Sequence, residues 1–291
     1  MALARFFLQE DLNFLLTNRI PRALATRLVG WLSRIENPLL SRFAIAVWRL
    51  FAEVDLADAA RPQFRSLRDC FTRELKPGAR AVDPDPSTLA SPCDAQVGAC
   101  GRVERDQLVQ AKGAFYTLQD LLCDEELARR WQGGVYATLR LTSGMYHRFH
   151  APHDLTVTRV DYISGDTWNT NPIALKRVEK LFCKNERAVV RCSLQAGNEL
   201  LLVPVASILV GSIKLHCVPA LLRLAHRGPN TFACEAAFSK GQEMGWFELG
   251  STIIVLAPPG STLCDGIEPG AIIRQGRSLL RLSPSAGTKA F

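Results

Sequence analysis

The chain is 291 residues long, 47% hydrophobic and 22% charged, with 35 Lys and Arg against 28 Asp and Glu for a net charge of +7. This composition excludes a disordered polymer and leaves room for one large domain or two modest ones. The cationic excess favours an anionic partner, and the lack of a Lys/Arg-rich run with interleaved aromatics argues against nucleic acid.

The short apolar run after Arg5 is closed by Glu10 and Asp11, so no signal peptide is expected. No uninterrupted apolar stretch reaches about 18 residues, so no spanning helix is expected either. Leu24, Leu28, Trp31, Leu32 and Ile35 fall on one face of a helix. After Asn37-Pro38, with Pro38 placed to open a second helix, Leu39, Phe43, Ala46, Val47 and Leu50 repeat that spacing. Arg27 and Arg34 border the first stripe as Arg42 and Arg49 border the second. Two such helices can simply cap a core. Guanidiniums along the border, able to snorkel to phosphate headgroups, favour membrane contact instead, and Trp31 and Trp48 suit a membrane interface. Stripe and border do not show what these helices face, so both readings stay open here for residues 1–58.

Residues 59–90 are rich in Pro, Asp and Arg and read as a connector, with a short helix expected over Cys70–Gly78 and ended by Pro77-Gly78. From residue 89 onward the pattern turns to β-like runs at 95–103, 135–142, 155–163, 187–194, 199–218, 231–238 and 246–256. Helical insertions are marked by Leu118, Leu121, Leu122 and Cys123, and by Ile173, Leu175, Val178, Leu181 and Phe182. The expected class is α+β: a mainly antiparallel β domain with a few helices. The nine cysteines are scattered without a C-x-x-C pair, which disfavours a zinc site or disulfide framework and fits a reducing compartment.

Three stretches carry candidate chemistry. Ser91-Pro92-Cys93-Asp94-Ala95 places Asp94 at the start of a strand, as a turn residue or as a functional carboxylate. Tyr146–His153 holds three of the five histidines. Pro152 breaks any helix through that cluster and a strand would point His147 and His150 to opposite sides, so general-base work is expected of a histidine here rather than metal binding. In Trp246–Val255 a half-apolar strand is interrupted by Gly250-Ser251-Thr252. That step is either a kink or a self-reactive site, since Gly250 offers an uncrowded carbonyl one peptide bond from the Ser251 hydroxyl. Asp94, His150 and Ser251 also suit a serine hydrolase, but the G-x-S-x-G elbow is absent.

Over nearly its whole length the chain resembles the phosphatidylserine decarboxylase proenzymes. The resemblance is carried by Phe71–Arg80, Gln110–Gly113 with Tyr116 and Leu118, and Tyr146-His147-Arg148-Phe149-His150-Ala151-Pro152. It continues through Gly165-Asp166, Asn185-Glu186-Arg187 and Gly211-Ser212-Ile213 to Lys240–Gly245, Phe247 and Leu249-Gly250-Ser251-Thr252. It implies self-cleavage between Gly250 and Ser251 into a β chain (1–250) and an α chain (251–291) that stay together as a heterodimer, with further dimerisation left open. Ser251 would become a covalent pyruvoyl cofactor, with His150 as its base and Asp94 orienting that histidine. The mature enzyme would convert phosphatidylserine to phosphatidylethanolamine and CO2 by Schiff-base chemistry, with His147 protonating the α-carbon and no metal. A diacyl substrate implies a peripheral protein on the cytoplasmic face of the cell membrane, with residues 1–58 as its amphipathic helical docking segment and residues 59–291 as the catalytic domain. The alternatives are a decarboxylase of a related serine-headed lipid and a lipid-binding homologue that no longer processes. Two positions depart from the family pattern: Ala95 where glycine is common, and Met145 where an aspartate commonly precedes the Tyr-His pair.

Overall fold

Alternating apolar runs build one eight-stranded antiparallel sheet in the computed structural model of the chain. The structure describes residues 10–18, 21–111, 113–194, 197–208, 212–223, 226–248 and 251–283. Residues 1–9, on which the signal-peptide reading rests, lie outside these, as do Lys112, Gly211, Leu249, Gly250 and the side chain of Ser251.

The sheet strands, numbered in chain order, are β1 (Ala95–Arg102), β2 (Val135–Leu141), β3 (Leu155–Ile163), β4 (Arg187–Leu194), β5 (Glu199–Ala206), β6 (Thr231–Phe238), β7 (Ser251–Ala257) and β8 (Ile272–Ile273). Their spatial order is β6-β3-β4-β5-β7-β2-β1-β8, which places β7 between β5 and β2. Alternation gives β7 two buried faces. Ile253 and Val255 join a core with Leu139, Leu202, Phe149 and Phe247 under a second sheet, formed by Leu221–Arg223, Ser212–Leu215, Glu243–Phe247 and Arg148–His150. Ile254 and Leu256 join Tyr116, Leu118, Leu121 and Phe182 beneath the helices and hairpin of the other face.

Two predicted strands are each split between the sheets. The run 199–218 ends as β5 at Ala206 and resumes at Ser212, and the run 246–256 divides into Glu243–Phe247 and β7. Both halves are buried, so apolar character runs through the crossover and hides it from the sequence. The short helix also lies earlier than expected, at Leu67–Phe71, where the Ser66 hydroxyl accepts from the Asp69 amide at 3.1 Å. The stretch that follows is extended, with Ala60 N–H donating to the Glu74 carbonyl and Lys76 N–H to that of Asp58. The hairpin Gln107–Ala111/Ala114–Thr117 was not anticipated.

The N-terminal segment forms α1 (Glu10–Asn18), α2 (Arg22–Leu32) and α3 (Pro38–Phe51), with Leu67–Phe71 as α4. Asn37 Oδ1 caps α3 by accepting from the Leu39 and Leu40 amides. The polarity of α2 and α3 is inverted relative to a helix that caps a core: Thr26, Ser33 and Ser41 are buried, while Leu39 is 77% and Leu50 79% exposed, with Leu24, Trp31 and Phe43 also exposed. Trp48 does not join them, because its ring stacks on Phe71 at 5.1 Å. Arg22 anchors α2 through both carboxylate oxygens of Asp166 and lies 3.7 Å over the Trp168 ring. Among the described residues, no helix is long and apolar enough to cross a membrane.

Candidate active site

Ser251 opens β7 and pairs with Ala206 on one side and Leu141 on the other. Several candidate residues are gathered at this end of the sheet. The Ala206 amide donates to the Glu186 carbonyl, and Gln96, two residues after Asp94, pairs with Arg140 beside Leu141. The segment after Leu141 leads to His147, whose carbonyl accepts from the Phe247 amide at 3.0 Å, four residues before Ser251.

His150 sits on the strand Arg148–His150, its amide donating to the Pro92 carbonyl. Its Nδ1 lies 2.9 Å from the Gly241 carbonyl, which can only accept, so Nδ1 carries the proton and Nε2 keeps a lone pair. That lone pair accepts from the Tyr146 hydroxyl at 2.9 Å. Burial lowers the His150 pKa, so the imidazole is held as a neutral base.

Asp94 makes no hydrogen bond to His150 among the described residues, so the orienting role that the resemblance implies has no direct contact behind it. Its carboxylate is taken by Arg80, through Nε at 3.0 Å and Nη2 at 2.6 Å, and by the Gln275 amide at 2.9 Å. Asp94 acts on His150 only through space, as a minor influence favouring the charged imidazole. Arg80 also binds Asp58 at 2.8 Å, and sequence reading gave it no role.

His147 is completely buried, its ring 4.1 Å from that of Phe71. Its Nδ1 donates to the Met145 carbonyl at 2.8 Å, leaving Nε2 an acceptor without a partner among the described residues. This contact comes from the backbone of residue 145 and does not depend on its side chain. Burial pushes the His147 pKa down to about 3, so this imidazole is neutral. Gly144 fixes the loop: a Cβ there would stand 2.0 Å from the Glu53 carbonyl, and the buried Arg73 donates to the Gly144 carbonyl at 3.1 Å. Ala95 is an ordinary buried strand residue. Among the described residues, no cluster of three His, Cys, Asp or Glu could hold a metal, and all nine cysteines are free.

Asn185-Glu186-Arg187 lies at the same end of the sheet. Arg187 is 1% exposed and donates to the carbonyls of Leu121, Cys183, Asn185 and Asp120. Arg187→Ala would orphan these carbonyls and open a cavity, an expected loss of about 4 kcal/mol read from urea unfolding. Among the described residues neither carboxyl oxygen of Glu186 makes a well-formed hydrogen bond; burial pushes its pKa up to about 8, with a smaller opposing pull from the nearby Tyr162 phenol. Between the unfolded value of 4.5 and about 8, the folded chain holds a proton that the unfolded chain has lost. This residue's contribution to stability therefore falls as pH rises through that window. Glu186→Gln is expected to melt above the parent at about pH 8 and level with it at about pH 4.

The family model described as "Phosphatidylserine decarboxylase" matches residues 67–281. A phosphatidylserine decarboxylase proenzyme of Anaeromyxobacter sp. (strain K) is 37% identical over 269 residues, 89% of this chain and 94% of the relative. Those of Brevibacillus brevis (32% identical; 91% of this chain, 95% of the relative) and Saccharophagus degradans (32%; 96% and 100%) align over similar spans. With Asp94, His147, His150 and Ser251 all inside the matched region, the chain belongs to the phosphatidylserine decarboxylase family.

Proposed function

We propose that this protein is a self-processing decarboxylase that converts phosphatidylserine to phosphatidylethanolamine and CO2. What supports the reading is the family match over residues 67–281, a span that holds Ser251 at the first residue of β7 together with two neutral imidazoles, His147 and His150, each fixed through Nδ1. Ser251 Oγ would attack the Gly250 carbonyl, passing its proton to His150 Nε2 once Tyr146 releases that atom. The ester so formed loses its carboxylate as the Cα proton of residue 251 is removed. Water then displaces ammonia from the resulting dehydroalanine, leaving a ketone at the head of the 251–291 chain. The Nε2 of His147, without a partner among the described residues, fits a site at which a proton must be taken up and returned. A pyruvoyl group at position 251 would supply an electron sink for the carbanion left by CO2. Neutral His147 must gain a proton before it can donate one, and the approach of an anionic headgroup favours that gain. The assay is CO2 release from carboxyl-labelled phosphatidylserine in micelles: release by the mature protein supports the reading, and none from fully cleaved protein would refute it.

Residues 1–58 are proposed as the docking segment and 59–291 as the catalytic domain, making a peripheral protein of the cytoplasmic face of the membrane. The inverted polarity of α2 and α3 supports this, since their large apolar side chains face away from the domain. Changing Leu39, Phe43 and Leu50 together to Ser is expected to weaken binding to phosphatidylserine vesicles at least about tenfold in a sedimentation assay. Stability should change by less than about 0.5 kcal/mol, because exposed side chains contribute little to the folded core.

A further inference from the structure

A cavity of about 560 Å³ lies beside the segment leading to Ser251, lined by Arg34, Arg68, Arg223, His226, Arg227 and Glu248. Four guanidiniums face one carboxylate. Arg34 Nη2 reaches Glu248 at 2.7 Å and Arg68 Nη2 at 2.5 Å, while Arg223 and Arg227 have no ion pair among the described residues. Arg68 Nε is buried without a partner among the described residues. A largely buried carboxylate gripped by two arginines in a cationic cavity occupies the place of a bound anion, and a guanidinium fork suits a phosphodiester at least as well as a carboxylate. Arg34 follows α2 directly, and Arg68 lies on α4, the helix whose Phe71 packs on His147. The cavity thus connects the outward-facing helices with the end of the sheet where Ser251 stands.

We propose that this cavity is the subsite for the phosphodiester of the lipid headgroup, and that Glu248 fills it until cleavage at Gly250 frees the strand end bearing that residue. The proposal rests on the decarboxylase reading. The phosphate of such a substrate is separated from the reacting amine only by the serine Cα, Cβ and ester oxygen. An anion held beside Glu248 would therefore set the amine at residue 251, with the acyl chains directed toward α2. Net positive charge around the cavity would also draw anionic lipid in preference to neutral lipid.

Two arms test this. For the exposed pair Arg223→Gln/Arg227→Gln, self-cleavage should be complete by mass, with kcat within about twofold and KM for phosphatidylserine in neutral-detergent micelles raised about tenfold. An unchanged KM would overturn the subsite. In the uncleaved Ser251→Ala protein, adding Glu248→Gln should tighten calorimetric binding of soluble glycerophosphoserine about tenfold, and do so much less for inorganic phosphate. Equal gains for the two probes would overturn the assignment to a headgroup phosphodiester, and no gain for either would overturn the role of Glu248. A wild-type chain that cleaves but decarboxylates nothing would sink the decarboxylase reading alone, because the binding arm needs no turnover.

Discussion

Ser251→Ala is expected to leave a single 32.1 kDa chain and to lower CO2 release at least about 10⁴-fold. Alanine has no oxygen to receive the Gly250 acyl group, so neither the ester nor the ketone can form. The change should not disturb folding. Position 251 pairs with Ala206 and Leu141 through backbone groups that the substitution leaves in place, and a methyl group is no larger than the original side chain. Far-ultraviolet circular dichroism and the thermal midpoint should match the parent, so that the loss lies in the chemistry. A Ser251→Ala protein that still separates into two chains would place the nucleophile elsewhere.

His150→Ala should slow self-cleavage by about 10²- to 10⁴-fold without altering the cleavage position, as followed by gel densitometry of freshly refolded protein. Of the two imidazoles this is the better base, because it is only partly buried whereas His147 is completely buried, with its pKa pushed down to about 3. The His150 Nδ1 proton is committed to the Gly241 carbonyl, and its Nε2 lone pair is held only by a phenol that can rotate away. Tyr146→Phe gives the informative contrast. The Tyr146 hydroxyl bonds to the neutral form of the imidazole, so removing it raises the His150 pKa and should move the acid limb of the cleavage rate to higher pH. Asp94→Asn should act more weakly than His150→Ala, because Asp94 reaches His150 through space, and should also loosen Arg80. Equal losses in Asp94→Asn and His150→Ala would point instead to a direct bond formed during the reaction.

The sequence made much of the scaffold legible, because period-two alternation persists where a strand has one face on a core and the other toward solvent, as in β3 and β6. The runs at 155–163, 187–194 and 231–238 coincide with β3, β4 and β6. Crossovers were not legible, since Trp246 and Phe247 are as apolar as the strand that follows them. The chemistry-bearing residue types stood out through their spacing and family resemblance, but their partners did not. Arg80 on Asp94, Tyr146 on His150 and the Met145 carbonyl on His147 are contacts set by loop geometry, and a backbone carbonyl leaves no trace in residue identity. Trp48 shows the same limit: the stripe that suggested an interfacial ring could not reveal Phe71 stacked against it. The Arg34 and Arg68 grip on Glu248 joins residues remote in sequence, and no local pattern marks it.

Self-cleavage at Gly250–Ser251 is tested most directly by intact mass spectrometry of the purified full-length protein. The expected spectrum has two chains, residues 1–250 and 251–291, the smaller lighter by one ammonia than its sequence and reactive toward a carbonyl reagent. A single unmodified chain of 32.1 kDa, from a folded preparation that binds anionic vesicles, would contradict the self-processing enzyme and leave a lipid-binding protein in its place.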